Sequence, residues 1–302
     1  MFSEKKQNQM IKVRRLASGM GVEILAHFYQ RPEIKTVADF VGGSRDIFRW
    51  ILKTKAQTIL LCGVNFMTET IERLRPDLNI LIPRLDASCP YSETVTANVV
   101  SQIRHRDPKA VIIADAKASG AVKDLSDGLV PLDIPSGYWD NKSQNNRLYI
   151  LPGPNMFAQE TMDSRLMSAV CQVHWQVELA DLLKAKREHP EAVVVVNVLC
   201  RDEVKDRADQ VGDSQTIWNY CSENRGLEFI VVSEIGLGES LALSYPHKRF
   251  YDPGVEIFCP NMKLTNLRDT ITVLESYQLR EGLITRFGAR QMGGHLSHDI
   301  PG

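Results

Sequence analysis

AVVVVNVLC, residues 192–200, decides the fold class. Its four consecutive valines leave no alternate polar positions, so neither face of the run is made for water. The run is also too short for a buried helix, which leaves a strand covered on both faces, as in a parallel α/β sheet. Runs of the same kind recur as EILAHFY (23–29), TILLCGV (58–64), NILIPRL (79–85), AVIIAD (110–115), RLYILPG (147–153), FIVVSEI (229–235) and VEIFCP (255–260). Between them FMTETIERLR (66–75), SETVTANVVSQIRHR (92–106), QVELADLLKAKREH (176–189) and DEVKDRADQVG (202–212) are amphipathic and long enough for crossover helices.

The strands fall into three groups, near 23–85, 110–153 and 192–260, which predicts an internal three-fold repeat of small αβα units. In the middle group GLVPLDIPSGYWDNKSQNNRL (128–148) is rich in turn formers and reads equally as a long loop. TNLRDTITVLESYQL (265–279) reads as a closing helix and RQMGGHLSHDIPG (290–302) as a mobile tail. The expected division is 1–92 plus 265–302, then 93–178, then 179–264.

The 302 residues are 43% hydrophobic, enough for a substantial core, and carry 36 Lys plus Arg against 37 Asp plus Glu, a net charge of −1. Such a balance supplies no field to recruit nucleic acid or an acidic membrane, so a small-molecule partner is expected. The start, MFSEKKQNQMIKVRRL, lacks the apolar run of a signal peptide or anchor, and no later run approaches the roughly 18 residues of a membrane span. A cytoplasmic location is the expectation; the oligomeric state is open.

Six cysteines, at 62, 89, 171, 200, 221 and 259, are scattered and form no Cys-x-x-Cys, which suits thiols or metal ligands in a reducing compartment. Cys171 follows Cys89 by 82 residues and Cys259 follows Cys171 by 88, close to one repeat each. Three thiolates brought to one point can bind a cubane iron-sulfur cluster with one iron open as a Lewis acid. An unpaired Cys is as readily a small buried hydrophobe, and spacing alone does not choose three from six.

Sequence context adds a resemblance. ILAHFYQRPEI (24–34) with VADFVGGSRD (37–46), CGVNFMTETI (62–71), LIPRLDASCP (81–90), VKDLSD (122–127), LPGPNMFA (151–158), the Cys-x-Val-His of Cys171 to His174, DEVKDRADQVGDS (202–214), FIVVSEIGLG (229–238) and CPNMKLTNL (259–267) are similar, in order, to the quinolinate synthase family. The resemblance implies three αβα units around a pseudo-three-fold axis with the active site at the centre. It also implies a [4Fe-4S] cluster on Cys89, Cys171 and Cys259. The implied reaction is a transferase-type condensation of iminoaspartate with dihydroxyacetone phosphate to quinolinate, a step of NAD biosynthesis, on small anionic substrates.

His27 and Tyr29, two apart at the end of a predicted strand, and His174, one helical turn after Cys171, match the family's catalytic positions. Without the resemblance His27 reads as a bonded interior side chain, Tyr29 as a core aromatic and His174 as a core or surface histidine. Ser44 before RDIFRWILK and Met67 in NFMTET match substrate contacts; the competing readings are an N-cap and core packing. Asp213 and Ser214 in GDS, and the GLGES run at 236–240, offer backbone N–H groups to an anion, or are ordinary turns.

Three departures fall on substrate positions. Where the family has Tyr, one residue, then Asn, this chain has Asp115, Ala116 and Lys117, both ends expected to contact substrate. Where it has His-Pro-Glu-Cys, this chain has Asn197, Val198, Leu199 and Cys200, so a presumed acid/base Glu becomes an apolar Leu. The family's carboxylate-binding loop is replaced by LVPLDIPSGYW (129–139). Two alternatives follow: a paralog acting on a different small acid, and a non-enzymatic iron-sulfur sensor on an enzyme fold.

Overall fold

A computed structural model of the chain describes residues 2–109, 111–129, 148–151 and 170–292. Helix α1 (Glu4–Gly19) turns through Gly21, at φ 64°, into β1 (Val22–His27); only glycine adopts that backbone cheaply. Then come α2 (Pro32–Val37), β2 (Phe40–Gly42), α3 (Ser44–Ile51), β3 (Thr58–Cys62), α4 (Asn65–Leu74) and β4 (Asn79–Leu81), paired in the order β2-β1-β3-β4. Helices α5 (Pro90–Glu93) and α6 (Ala97–Arg106) precede β5 (Val111–Ala114), α7 (Gly120–Asp124), β6 (Gly128–Leu129) and β7 (Leu148–Leu151), ordered β6-β5-β7. Helices α8 (Gln172–Trp175) and α9 (Leu179–Glu188) lead to β8 (Val193–Asn197), α10 (Asp202–Lys205), β9 (Gln210–Gly212), α11 (Ser214–Glu223), β10 (Glu228–Val232), α12 (Ile235–Ser244) and β11 (Arg249–Tyr251). That sheet is ordered β9-β8-β10-β11, and α13 (Leu267–Met292) is the last described element.

All strand pairs among the described residues are parallel, so the valine-rich runs are buried strands joined by helices. The first and third sheets share one register, 170 residues apart: Leu25 faces Phe40 as Val195 faces Gln210, and Ala26 faces Cys62 as Val196 faces Val232. In the second sheet Ile113 faces Gly128, 88 residues after the Leu25 and Phe40 pair. One side-chain device recurs in all three. The N–H of Ile24, Ile112 and Val194 donates to Asp39, Asp127 and Asp209 at 2.8, 2.7 and 2.7 Å, while each Asp N–H returns to that residue's carbonyl. The carboxylate thus extends the ladder by one bond where the short second strand begins.

Residues of the first and third sheets share one core: Leu25, Leu61, Val195, Phe229 and Val231 belong to a single apolar cluster. On the other face of the first sheet, Val13, Leu16 and Ala17 of α1 meet Leu267, Ile271 and Leu274 of α13. The second sheet has its own cluster around Val100, Ile112 and Val122.

Several sequence expectations are corrected here. VEIFCP is not a strand; Arg249–Tyr251 takes the edge beside β10, and the following turn at Gly254, φ 80°, carries the chain off the sheet. DEVKDRADQVG is not one helix, because it stops at Lys205 so that Gln210–Gly212 can pair with β8. SETVTANVVSQIRHR divides between α5 and α6. Residues Arg290 to Met292 of the expected tail continue α13. LPGPNMFA beyond Leu151, and the LVPLDIPSGYW loop beyond Leu129, lie outside the described residues.

Candidate active site

His27, Asp115 and Asn197 occupy one equivalent position at the carboxyl ends of β1, β5 and β8. Each side chain accepts the N–H two residues on: Tyr29 to His27 Nδ1 at 3.1 Å, Lys117 to Asp115 Oδ1 at 2.7 Å, and Leu199 to Asn197 Oδ1 at 3.0 Å. These short-range bonds cap the strands and turn the chain, so the six side chains line one cavity of about 410 Å³. The carboxyl ends of parallel strands are where α/β folds take ligands. With Nδ1 accepting, the neutral His27 ring carries its proton on Nε2.

Cys89, Cys171 and Cys259 line the same cavity, and all three are free and half-buried. Cys62, Cys200 and Cys221 are buried in apolar clusters and do not line it. Cys89 and Cys171 stand just before α5 and α8, and Cys259 opens a turn, so backbone N–H groups follow each sulfur: Ser92 and Tyr91 at Cys89, His174 and Val173 at Cys171, Met262 at Cys259. Those donors favour thiolate, whereas burial pushes all three thiols up, Cys171 adding to it at Cys89, and Glu234, Cys171 and Cys89 adding to it at Cys259, which reaches about 12. Three free thiols aimed at one cavity are a soft donor set that suits iron in a cluster.

Tyr29 is the polar hub. Its hydroxyl accepts from Ser214 Oγ at 2.7 Å and Asn197 Nδ2 at 3.2 Å, and lies 3.1 Å from Ser233 Oγ and 3.4 Å from His174 Nε2. His174 Nδ1 in turn lies 3.3 Å from Cys171 Sγ, so the phenol and the Cys171 thiol share one imidazole. Burial, reinforced by the charge of Lys117, holds both His27 and His174 neutral, each pushed down to about 3. Burial likewise raises the Tyr29 phenol, which stays protonated. The central groups are therefore neutral donors and acceptors.

The cavity is also lined by Ser44 and Arg45 in the first turn of α3 and by Asp213 and Ser214 at the start of α11, two helix starts that lie side by side, since a Cβ on Gly43 would stand 3.7 Å from Gln215. Ser44 is the first helical residue; Gly43 takes the N-cap and supplies no side-chain bond, while its carbonyl accepts the Asp46 and Ile47 N–H groups. Asp213 instead caps α11, accepting from Thr216 N and Oγ1 at 2.9 Å each.

Of the sequence candidates, Met67 stands apart. It is fully buried in the core of α4 and β3 and does not line the cavity, so packing is its part. GLGES is not a turn but the first half of α12, and its Gly236 N–H is taken by Glu234 at 2.7 Å. Sequence reading did not single out Asn197 and Ser233 as Tyr29 partners, nor Arg45 and Tyr91 as cavity lining. The 170-residue register between the first and third sheets would have pointed to Asn197, which stands where His27 does.

Residues 11–285 match the family model described as NadA, quinolinate synthetase A protein. The chain is 32% identical to the quinolinate synthase of Clostridium kluyveri over 272 residues, covering 88% of this chain and 89% of that protein. It is 30% identical to that of Methanosarcina barkeri (88% and 89% covered) and 34% identical to that of Methanoregula boonei (85% and 86%). With cavity, thiols and register in agreement across nearly its whole length, the chain belongs to the quinolinate synthase family.

Proposed function

We propose that the chain is a quinolinate synthase. It condenses iminoaspartate with dihydroxyacetone phosphate, releasing one phosphate and two waters and closing the pyridine ring, with a [4Fe-4S] cluster held by Cys89, Cys171 and Cys259. The observation that carries the reading is the meeting of those three half-buried thiols with His27, Tyr29 and His174 on one cavity. When bound, the cluster supplies a Lewis acid for a substrate carboxylate or hydroxyl. The remaining work falls to side chains. Ser44, the N-terminus of α3 and Arg45 hold an anionic group of the substrate. The Tyr29 phenol, set by Ser214, Ser233 and Asn197, passes protons with His174, while His27 Nε2 donates from beside it, the two rings 4.5 Å apart.

The repeated register and the Asp39, Asp127 and Asp209 bonds support three αβα units about a pseudo-three-fold axis, divided as 1–92 with 265–302, 93–178 and 179–264. The packing of α13 on α1 supports assigning the last segment to the first unit.

A second reading concerns the substrate alone. Lys117 lines the cavity, and among the described residues its ammonium has no hydrogen-bond or ion-pair partner, while Leu199 offers an apolar surface. That pair suits an acid with one more negative group at Lys117 and less need of an acid catalyst at 199. Assay of the anaerobically reconstituted chain with iminoaspartate and dihydroxyacetone phosphate tests both. Quinolinate as product supports the first reading; an intact cluster with no quinolinate removes it in favour of the second.

A further inference from the structure

The Cys89 and Cys259 corners stand 170 residues apart, the offset of the first and third sheets, yet differ in the charge around them. Four residues past the cysteines stand Glu93, Trp175 and Lys263; the first is exposed, Trp175 is 38% exposed, and Lys263 is buried. Glu234, fully buried, stands 170 residues after Val64, an apolar core residue. So the Cys259 corner alone of these two carries a buried carboxylate, and beside it a buried ammonium, Lys263 Nζ to Glu234 Oε1 at 3.0 Å.

The carboxylate is fully engaged. Glu234 Oε2 accepts Gly236 N–H at 2.7 Å, Oε1 accepts the N–H of Cys259 itself at 3.2 Å, and Lys263 spans both oxygens. Lys263 N–H donates back to the carbonyls of Cys259 and Pro260 at 3.2 and 3.1 Å, and its own carbonyl accepts from Arg31 Nε at 2.8 Å. Gly236 makes the approach possible: a Cβ there would fall 2.6 Å from Phe28 O, 2.8 Å from Glu234 Oε2 and 3.0 Å from Lys263 Nζ. A fold that repeats its ladder bonds so closely has no structural need for an ion pair in one unit only. Burying a pair is rarely a net stabiliser against an apolar alternative, so its retention beside a thiol asks for another reason.

We propose that Glu234 and Lys263 are positioning residues that fix the Cys259 turn and set the charge felt by the cluster this cysteine helps to hold. This rests on the cluster reading above. A carboxylate one hydrogen bond from a ligand residue disfavours the added electron of the reduced cluster, and the ammonium offsets it; cluster potentials respond to such local charge and hydrogen bonding.

The test is a redox titration, followed by electron paramagnetic resonance, of the anaerobically reconstituted full chain and four variants, with iron content measured in each. Glu234→Gln keeps an acceptor for the Cys259 N–H but leaves the ammonium unbalanced, so the midpoint potential rises. Lys263→Met leaves the carboxylate unbalanced, so it falls; Lys263→Arg stays near the parent, and Glu234→Gln with Lys263→Met returns toward it. Opposite signs in the two single variants are not produced by loosened packing. Single variants that lose iron while the charge-balanced double variant keeps it also support the proposal. It is overturned by unchanged potentials, by shifts of one sign, or by loss of iron in every variant alike, which marks a packing role. Failure of the parent chain itself to take up a cluster overturns the cluster reading instead.

Discussion

At the residue scale, Tyr29 gathers groups from distant parts of the chain: Asn197 is 168 residues away and Ser233 204. Tyr29→Phe leaves Ser214, Ser233, Asn197 and His174 short of one partner in a buried place, at a cost of about 1–3 kcal/mol for a polar group left unsatisfied. It also removes the phenol proton, and loss of a general acid lowers kcat about 10²–10⁴-fold. Urea unfolding and steady-state quinolinate formation read the two effects separately; a variant with unchanged kcat shows that Tyr29 only supports the cavity. His27 and His174 were legible because their neighbours carry a recognisable pattern. Asn197 was read only as a departure from that pattern, because nothing local tells that its amide reaches a phenol on another sheet. Met67 lies away from the cavity for the complementary reason: its flanking residues match the pattern, but its side chain is buried in the core.

At the element scale, helices of different sheets are tied by buried lysines. Lys123 of α7 donates to Phe66 O at 3.1 Å and Thr70 Oγ1 at 2.7 Å on α4; Lys35 of α2 donates to Gly236 O at 2.7 Å and Ser240 Oγ at 2.8 Å on α12. The two ties obey the same offsets as the sheets, 88 residues for the lysines and 170 for their acceptors. Burial lowers Lys123 to about 8 from its ordinary 10.5, Glu69 opposing the shift in part. Between those values the unfolded chain holds the proton and the folded chain sheds it, so this group adds stability as pH rises from about 8 to about 10.5 and loses it as pH falls. Comparison of urea midpoints for parent and Lys123→Met across that window predicts a smaller upward slope in the variant; equal slopes contradict the assignment. The central strands were legible as unbroken apolar runs, and α4 and α9 as amphipathic stretches. Strands β2, β6 and β9, two or three residues each, were not, because so few residues carry no alternation and form only where a neighbouring strand and an Asp side chain receive them.

At the scale of the whole molecule, the 170 residues between Cys89 and Cys259 equal the offset between the registers of the first and third sheets, whereas the 88-residue offset of the second sheet carries Cys89 to Val177, so Cys171 does not follow the register. Spacing could not choose among six thiols; their surroundings divide them, three lining the cavity and three packed in cores, and the proposed ligands are the first three. The most direct test of this choice is iron and sulfide analysis, after anaerobic reconstitution, of the parent and of six single Cys→Ala variants. The account predicts about four irons per chain, as for one cubane cluster, in the parent and in Cys62→Ala, Cys200→Ala and Cys221→Ala, with loss of the cluster in Cys89→Ala, Cys171→Ala and Cys259→Ala. A full cluster retained in any of those last three contradicts it.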